Sequence, residues 1–383
     1  MNIQKVYIKN TLKNNKKILE FLSNIKYKNE LEVIYFDEDI KNLIEKFSLK
    51  ISLQRDIKSQ KNIKSLIFDE QKGKFIKKCP CTPHYLGCEY YVVELSVGCL
   101  YDCSYCYLQE YQNLAAMTFY LNFDKLFLEF DELLTENPKK LYRIGFGEYA
   151  DSLFLDNSMN YTYEISTYLA KVKKYKNYLI EYKTKSNNVE NLLKYEPSGK
   201  EVIGWSINAL KISKNEEKNA ANFFERLIAM KKCIEKGYFV AIHFDPIIIY
   251  ENAAIDYKFV IDKIYEKIDK NKIIWISIGS LRFNPKLKPI IEYRHPTSNI
   301  IYGEFVKGLD NKIRYFKENR IKIYKKIIKF LKNNDENVFI YFCMEDNEIW
   351  DKVLGLKIKE NNDIHKLFCK RLQFLTNSRE TFE

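Results

Sequence analysis

Short apolar runs alternate along most of this chain with longer stretches in which apolar residues recur every three or four positions. The runs at 91–97, 141–146, 178–183, 202–207, 239–244 and 273–278 are rich in β-branched and aromatic residues and predict strands. Between them, helical spacing covers residues 123–136, 160–174, 187–194, 215–236 and 254–268. Alternation of this kind predicts parallel strands with crossover helices on the outside. A smaller unit precedes them: a strand at Val6-Tyr7-Ile8, a helix through Ile18, Leu19, Phe21, Leu22 and Ile25, and a strand at 31–36. The polar, lysine-rich stretch 54–64 shows no period and reads as loop or helix surface. Late in the chain an amphipathic helix is expected near 313–333 and a strand at 338–342. The expected organisation is an N-terminal α/β extension over 1–78, a central unit over 79–300 and a C-terminal extension over 301–383.

Composition narrows this little. Apolar residues make up 46% of 383, ample for a core. No apolar run approaches the roughly 18 residues that span a bilayer, so no membrane partner is expected. The start, Met1-Asn2-Ile3-Gln4-Lys5-Val6, lacks the apolar stretch of a signal peptide, and a cytoplasmic setting is expected. In that setting nine cysteines point to metal or buried thiols, not disulfides. The net charge of +12 suits a nucleic-acid partner, but the lysines are scattered over helix surfaces and carry little weight.

The strongest chemical signal is Cys99, Cys103 and Cys106, spaced C-x-x-x-C-x-x-C just after the first strand of the alternating series. Structural zinc prefers four ligands, usually as two separated pairs. Three thiolates on one tight loop suit a 4Fe–4S cube in which one iron lacks a protein ligand, whereas clusters with four cysteines normally pass electrons. This spacing, on the loop after a first barrel strand, resembles the signature of the radical S-adenosylmethionine (radical SAM) superfamily. There the open iron chelates the amino and carboxylate groups of SAM, and an electron from the cluster cleaves it to methionine and a 5′-deoxyadenosyl radical.

From about residue 79 to 345 the chain resembles the spore photoproduct lyase family. The loop continues as Ser104-Tyr105-Cys106-Tyr107-Leu108-Gln109, close to that family's ending. Lys183-Thr184-Lys185, Ser206-Ile207-Asn208 and Leu281-Arg282-Phe283 follow in the family's order, at the ends of the third, fourth and sixth strands. The resemblance implies an α/β fold with an incomplete (β/α)6 barrel, whose catalytic groups sit at the C-terminal strand ends. It also implies that Lys185 and Ser206 hold SAM, an ammonium for the carboxylate and a hydroxyl for a polar edge. Tyr105 and Tyr107 match tyrosines that pass the radical onward, or else they pack over the cluster. His243 and Asp245, two apart on the fifth strand, are candidate substrate residues on one face, together with Arg282.

One departure stands out. The family carries a hydrogen-donating cysteine shortly after its second strand, and here Glu148 occupies that place. A carboxylic O–H bond is too strong for that task. Gly147-Glu148 resembles instead the glycine-glutamate turn that binds the SAM amino group in many radical SAM enzymes. Upstream, Cys79, Cys81 and Cys88 resemble a cysteine-rich lead-in of lyase-like relatives. They could ligate a second cluster or zinc with His84 as fourth ligand, but buried structural thiols are the preferred reading.

The expected function is therefore a radical SAM enzyme of the lyase-like branch, with a 4Fe–4S cluster, SAM and an external electron donor of flavodoxin or ferredoxin type. Family analogy names a pyrimidine lesion in DNA as substrate. A different nucleotide, an RNA base or a peptide is the alternative. A non-catalytic iron–sulfur redox sensor or nucleic-acid-binding protein is a third reading.

Overall fold

The computed structural model describes residues 3–24, 31–47, 49, 65–82, 84–111 and 114–376. The stretch 54–64 lies outside them. Seven parallel strands build the main sheet in chain order: β1 (Tyr91–Val93), β2 (Tyr142–Phe146), β3 (Tyr178–Thr184), β4 (Glu201–Ser206), β5 (Phe239–Ile247), β6 (Ile273–Ser280) and β7 (Ile340–Phe342). Ile76–Lys78 adds an antiparallel edge beside β1. Helices Phe123–Glu136, Phe223–Lys236 and Ala253–Lys267 make crossovers, with apolar faces buried through residues such as Phe130, Met230 and Ile261. The six expected barrel strands are β1 to β6, so the sheet is the incomplete barrel, widened by β7.

Alternation along these strands decides what reaches the concave face. Gly145 on β2, Glu181 on β3, Gly204 on β4 and His243 on β5 converge there. A Cβ on Gly145 would collide with the Tyr90 hydroxyl, and one on Gly204 would lie 3.0 Å from His243 Nε2. These glycines leave room for buried polar groups to meet across the barrel.

The N-terminal sheet runs in the order Glu32–Phe36, Lys5–Lys9, Ser65–Asp69, Ala116–Tyr120, Ser96–Val97. Its last two strands come from beyond residue 78, so the sheet begun in 1–78 also takes in chain from the central unit. The predicted strand at 91–97 consequently splits: Tyr91–Val93 joins the barrel and Ser96–Val97 crosses to the other sheet.

Other departures have equally local causes. The predicted helix 215–236 is two helices, Leu210–Glu216 and Phe223–Lys236, because Glu217–Lys218 pairs antiparallel with Asp102–Cys103. Asn222 then restarts the helix with a capping box to Glu225. The predicted helix near 313–333 begins at Lys317, since Ile313–Tyr315 pairs with Arg282–Phe283 and Phe305–Lys307 in a small antiparallel sheet. A final helix, Asn361–Thr376, was not expected; its Phe368 ring lies 3.4 Å from the Arg143 guanidinium. Among the described residues, no helix is long and apolar enough to cross a membrane.

Candidate active site at the strand ends

The loop bearing Cys99, Cys103 and Cys106 leaves the first barrel strand and is tied down along its length. Gly98 N–H donates to the Tyr149 carbonyl at 2.8 Å, and Ser104 N–H to the Glu216 carbonyl at 2.8 Å. The Ser104 hydroxyl reaches the Glu216 carboxylate, which also accepts from Ser298 at 2.7 Å. Arg294 donates to Asp102 at 2.6 Å, and Gln109 Nε2 to the carbonyls of Cys103 and Ser104 at 3.2 and 2.8 Å. A loop held by this many partners has little conformational freedom left to lose when it binds a rigid group. Its thiols lie within electrostatic reach of one another. Burial, with the nearby Asp151 carboxylate and the Cys106 thiol, pushes Cys99 up to about 12. Burial likewise raises Cys103 and Cys106, with the Lys185 ammonium opposing both shifts.

Lys185 is thus directed at the cysteine loop. It lies 5.4 Å from the Tyr105 ring centre, and although burial works against its charge, Glu217 and Cys103 outweigh this and raise its pKa. Its backbone is fixed by Asp151, which accepts from Lys185 N–H at 2.7 Å and from the Thr184 hydroxyl at 2.9 Å. The motif at the end of β3 is therefore set by a carboxylate from the loop after β2.

Glu217 is the hinge of this region. It faces Cys103 in the short ladder, accepts from the buried Tyr105 hydroxyl, and forms an ion pair with Arg226 at 2.6 Å, both side chains 1% exposed. Arg226 also donates to the Ser206 carbonyl at 2.8 Å and to that of Ala221 at 2.7 Å. Ala221 N–H returns to the Lys185 carbonyl at 3.1 Å. One guanidinium therefore links the ends of β3 and β4 to the cysteine loop.

Gly147 follows β2 with φ +99, and a Cβ there would lie 2.7 Å from the Lys183 carbonyl oxygen, so the close approach requires glycine. Beside it the Ser152 hydroxyl is buried and finds no hydrogen-bond partner among the described residues. A cleft of about 230 Å³, open solvent included, runs past Gly147, Tyr149, Asp151 and Ser152. Glu148 is half-buried; its carboxylate pairs with Lys183 and its carbonyl accepts from the hydroxyl of Tyr107, which is 44% exposed.

Deeper in the barrel, Glu181 accepts from Tyr90 at 2.5 Å and Trp275 at 3.2 Å and meets His243 Nε2 at 2.6 Å. Burial pushes Glu181 up, but the His243 ring, Lys183 and the Tyr90 hydroxyl outweigh it and hold the carboxyl at about 2. His243 is 6% exposed and engaged in this network. Asp245, two residues on, is half-buried and takes both Arg282 Nη atoms at 2.9 and 3.1 Å; Arg282 Nη2 also lies 3.3 Å from Cys343 Sγ.

Two groups of expected residues are therefore brought together: the cysteine loop with Tyr105, Lys185 and Ser206, and Asp245 with Arg282. Asp151, Ser152, Glu217 and Arg226 were not anticipated. Asp151-Ser152 directly follows the glycine-glutamate turn, which was the available signal. Nothing local in the sequence marks Glu217 or Arg226.

The profile of the spore photoproduct lyase family matches residues 83–342. The spore photoproduct lyase of Bacillus subtilis (strain 168) is 24% identical over 240 residues, 62% of this chain and 67% of the relative. That of Geobacillus sp. (strain Y412MC61) is 23% identical over 245 residues, 62% and 68% of the two chains. A solved spore photoproduct lyase complexed with dinucleoside spore photoproduct superposes with a TM-score of 0.75 at 18% identity, over 89% of this chain and 99% of that one. A lyase variant with bound AdoMet and dinucleoside spore photoproduct gives the same values. At this identity the solved structures speak for the fold, and the family profile speaks for kinship. On that profile, which matches more than half of its length, the chain belongs to the spore photoproduct lyase family of radical SAM enzymes.

Proposed function

We propose that this enzyme uses a 4Fe–4S cluster on Cys99, Cys103 and Cys106, together with SAM, to abstract hydrogen from a pyrimidine-containing nucleic acid at the barrel mouth. Its cofactors, as a member of this family, are the cluster and SAM. The observation that carries the reading is the direction of Lys185: a cation with a raised pKa, fixed by Asp151, facing Cys103 and Cys106. The donor set fits the group. Three thiols on one strapped loop would supply three iron ligands, and the Ser152 hydroxyl beside Gly147, without a partner among the described residues, offers a buried polar contact for a ligand.

When bound, the cluster and SAM supply one electron and a 5′-deoxyadenosyl radical. The chain's residues orient and shield. In this reading Lys185 takes the methionine carboxylate, Ser206 a polar edge of SAM, and the Gly147-Glu148 turn its amino group. Glu148 already pairs with Lys183, so the SAM ammonium would share that carboxylate. Tyr105, with its hydroxyl on buried Glu217, is held as cover over the loop, while exposed Tyr107 is the tyrosine open to the mouth. Asp245 and Arg282 present a paired anion and cation to a polar substrate.

Lys185→Ala should weaken SAM binding by about 1.5–3 kcal/mol, the scale of a lost hydrogen bond to a charged group. Isothermal titration of the reconstituted protein measures this, and unchanged affinity removes Lys185 from the site.

The solved relatives with dinucleoside spore photoproduct suggest the substrate class. Glu148 limits the analogy. With a carboxylate in place of the donor thiol, a thymine radical would lack its usual quencher. Cys233, fully buried within an outer helix, does not reach the mouth. Reduced enzyme with SAM and dinucleotide spore photoproduct should therefore give little thymidylyl-thymidine and accumulate side products on chromatography. Clean multiple-turnover repair would overturn this substrate restriction.

A further inference from the structure

We propose that Cys79, Cys81, Cys88 and Cys343 are the ligands of a second metal centre, a 4Fe–4S cluster held by four thiolates. The inference does not depend on the substrate reading above. The sequence puts the first three on one short loop, and the fold delivers the fourth from far along the chain. Cys343 directly follows β7, and its N–H donates to the Ile278 carbonyl at 3.0 Å. The loop is tethered to that strand end: Leu86 N–H donates to the Glu345 carbonyl at 3.2 Å, and the Thr82 hydroxyl meets Met344 Sδ at 3.8 Å. At its far end Gly87 N–H donates to Asn361 Oδ1 at 2.8 Å, and the Cys88 carbonyl accepts from the buried Arg143. The loop doubles back so closely that a Cβ at Gly87 would clash with Cys81 Sγ, so glycine is what gives that thiol its place.

The four thiols influence one another electrostatically. Cys81 N–H donates to the Cys79 carbonyl at 2.7 Å, and Cys79, Cys88 and Cys343 all act electrostatically on Cys81. Cys88 feels Cys79, and Cys343 feels Cys88 and Cys79. Every pair within the set is thus in electrostatic reach. Cations stand around it: Arg143 acts on Cys88, Lys183 on Cys79 and Cys88, and Arg282 Nη2 lies 3.3 Å from Cys343 Sγ. Such donors offset the negative charge of four thiolates and set a cluster's potential.

Thiols that serve as small hydrophobes look different. Cys233 and Cys369 are buried in the apolar core, whereas all four members of this set are half-buried. The expectation of buried structural thiols therefore suits Cys233 and Cys369 better than this loop. His84, the fourth ligand considered from sequence, is exposed, and Cys343 takes its place. Among the described residues, no three His, Cys, Asp or Glu side chains are gathered closely enough to hold a single ion. The same is true of Cys99, Cys103 and Cys106, the trio proposed above to hold a cube. A cube spreads its ligating sulfurs over a wider cage than one zinc does, which favours iron–sulfur over zinc here. With four cysteine ligands no iron is left open, and a centre of this kind passes electrons.

The test is the anaerobically reconstituted full chain. The wild type should hold about eight irons and eight sulfides, and Cys99→Ala/Cys103→Ala/Cys106→Ala about four of each, with a reduced-state paramagnetic signal that SAM does not alter. Conversely, Cys79→Ser/Cys81→Ser/Cys88→Ser/Cys343→Ser should keep about four irons and a signal that SAM does alter. If the first variant does not fold, iron counting and Mössbauer spectra of the wild type decide, and about four irons per chain overturns the proposal. A first variant that folds without iron, or that binds zinc alone, overturns it as well.

Discussion

Cys106→Ala should reduce SAM-dependent formation of 5′-deoxyadenosine to the background of a preparation without protein. The same holds for Cys99→Ala and Cys103→Ala. Each removes one of three iron ligands from a loop whose other groups cannot replace it: Asp102 is paired with Arg294, the Ser104 hydroxyl with Glu216, and the Tyr105 hydroxyl with Glu217. The fold should survive, because the loop keeps its straps to Glu216, Glu217 and Tyr149. Chromatography of anaerobic, reduced reactions measures the product, and circular dichroism checks the fold. A single-cysteine variant that still cleaves SAM at the wild-type rate would exclude that residue from the cluster.

The second large effect is on stability. Glu217→Ala should destabilise the protein by about 3–5 kcal/mol, the cost of leaving a buried guanidinium without its partner. Arg226 is 1% exposed and, among the described residues and apart from Glu217, its side chain hydrogen-bonds only the carbonyls of Ser206 and Ala221. Glu217→Gln keeps hydrogen-bonding capacity and should cost less. Glu235→Ala, which breaks the exposed i,i+4 pair with Lys231, should change little. Thermal unfolding by circular dichroism ranks the three. The sign with pH follows from the same environment. Burial raises the Glu217 carboxyl, but Arg226, Lys185 and Tyr105 outweigh it and leave its pKa lowered. Its contribution is therefore fully present above the unfolded carboxyl value of about 4.3 and is lost as pH falls through the lower folded value. The Glu217→Ala variant should accordingly lose less stability on acidification than the wild type. Equal stability of Glu217→Ala and wild type at neutral pH would refute the role given to this pair.

What the sequence made legible was local. The spacing of Cys99, Cys103 and Cys106, the glycine at 147 and the order of strand-end motifs are short-range signals, and the barrel strands follow from short apolar runs rich in β-branched and aromatic residues. What escaped were features whose cause lies far along the chain. Helical spacing runs unbroken through 215–236, yet Glu217 leaves the helix because its partners, Cys103 and Tyr105, are more than a hundred residues away. The Asn222-to-Glu225 capping box was a visible sign of that restart. Ala116–Tyr120 joined the N-terminal sheet because Ser65–Asp69 offered it an edge, which periodicity within 79–300 does not reveal. The approach of Cys343 to Arg282 and to the loop of Cys79, Cys81 and Cys88 likewise depends on the fold, since about 255 residues separate it from that loop.

The central claim is that the cysteine loop, with Lys185 facing it, makes this chain cleave SAM reductively. The most direct measurement is the anaerobic incubation of reconstituted, dithionite-reduced wild-type protein with SAM, followed by quantification of 5′-deoxyadenosine and methionine. The account predicts both products, dependent on reductant and on Cys99, Cys103 and Cys106. A protein with its cluster intact by absorbance that releases neither product from SAM, with or without a nucleic-acid substrate, would contradict it.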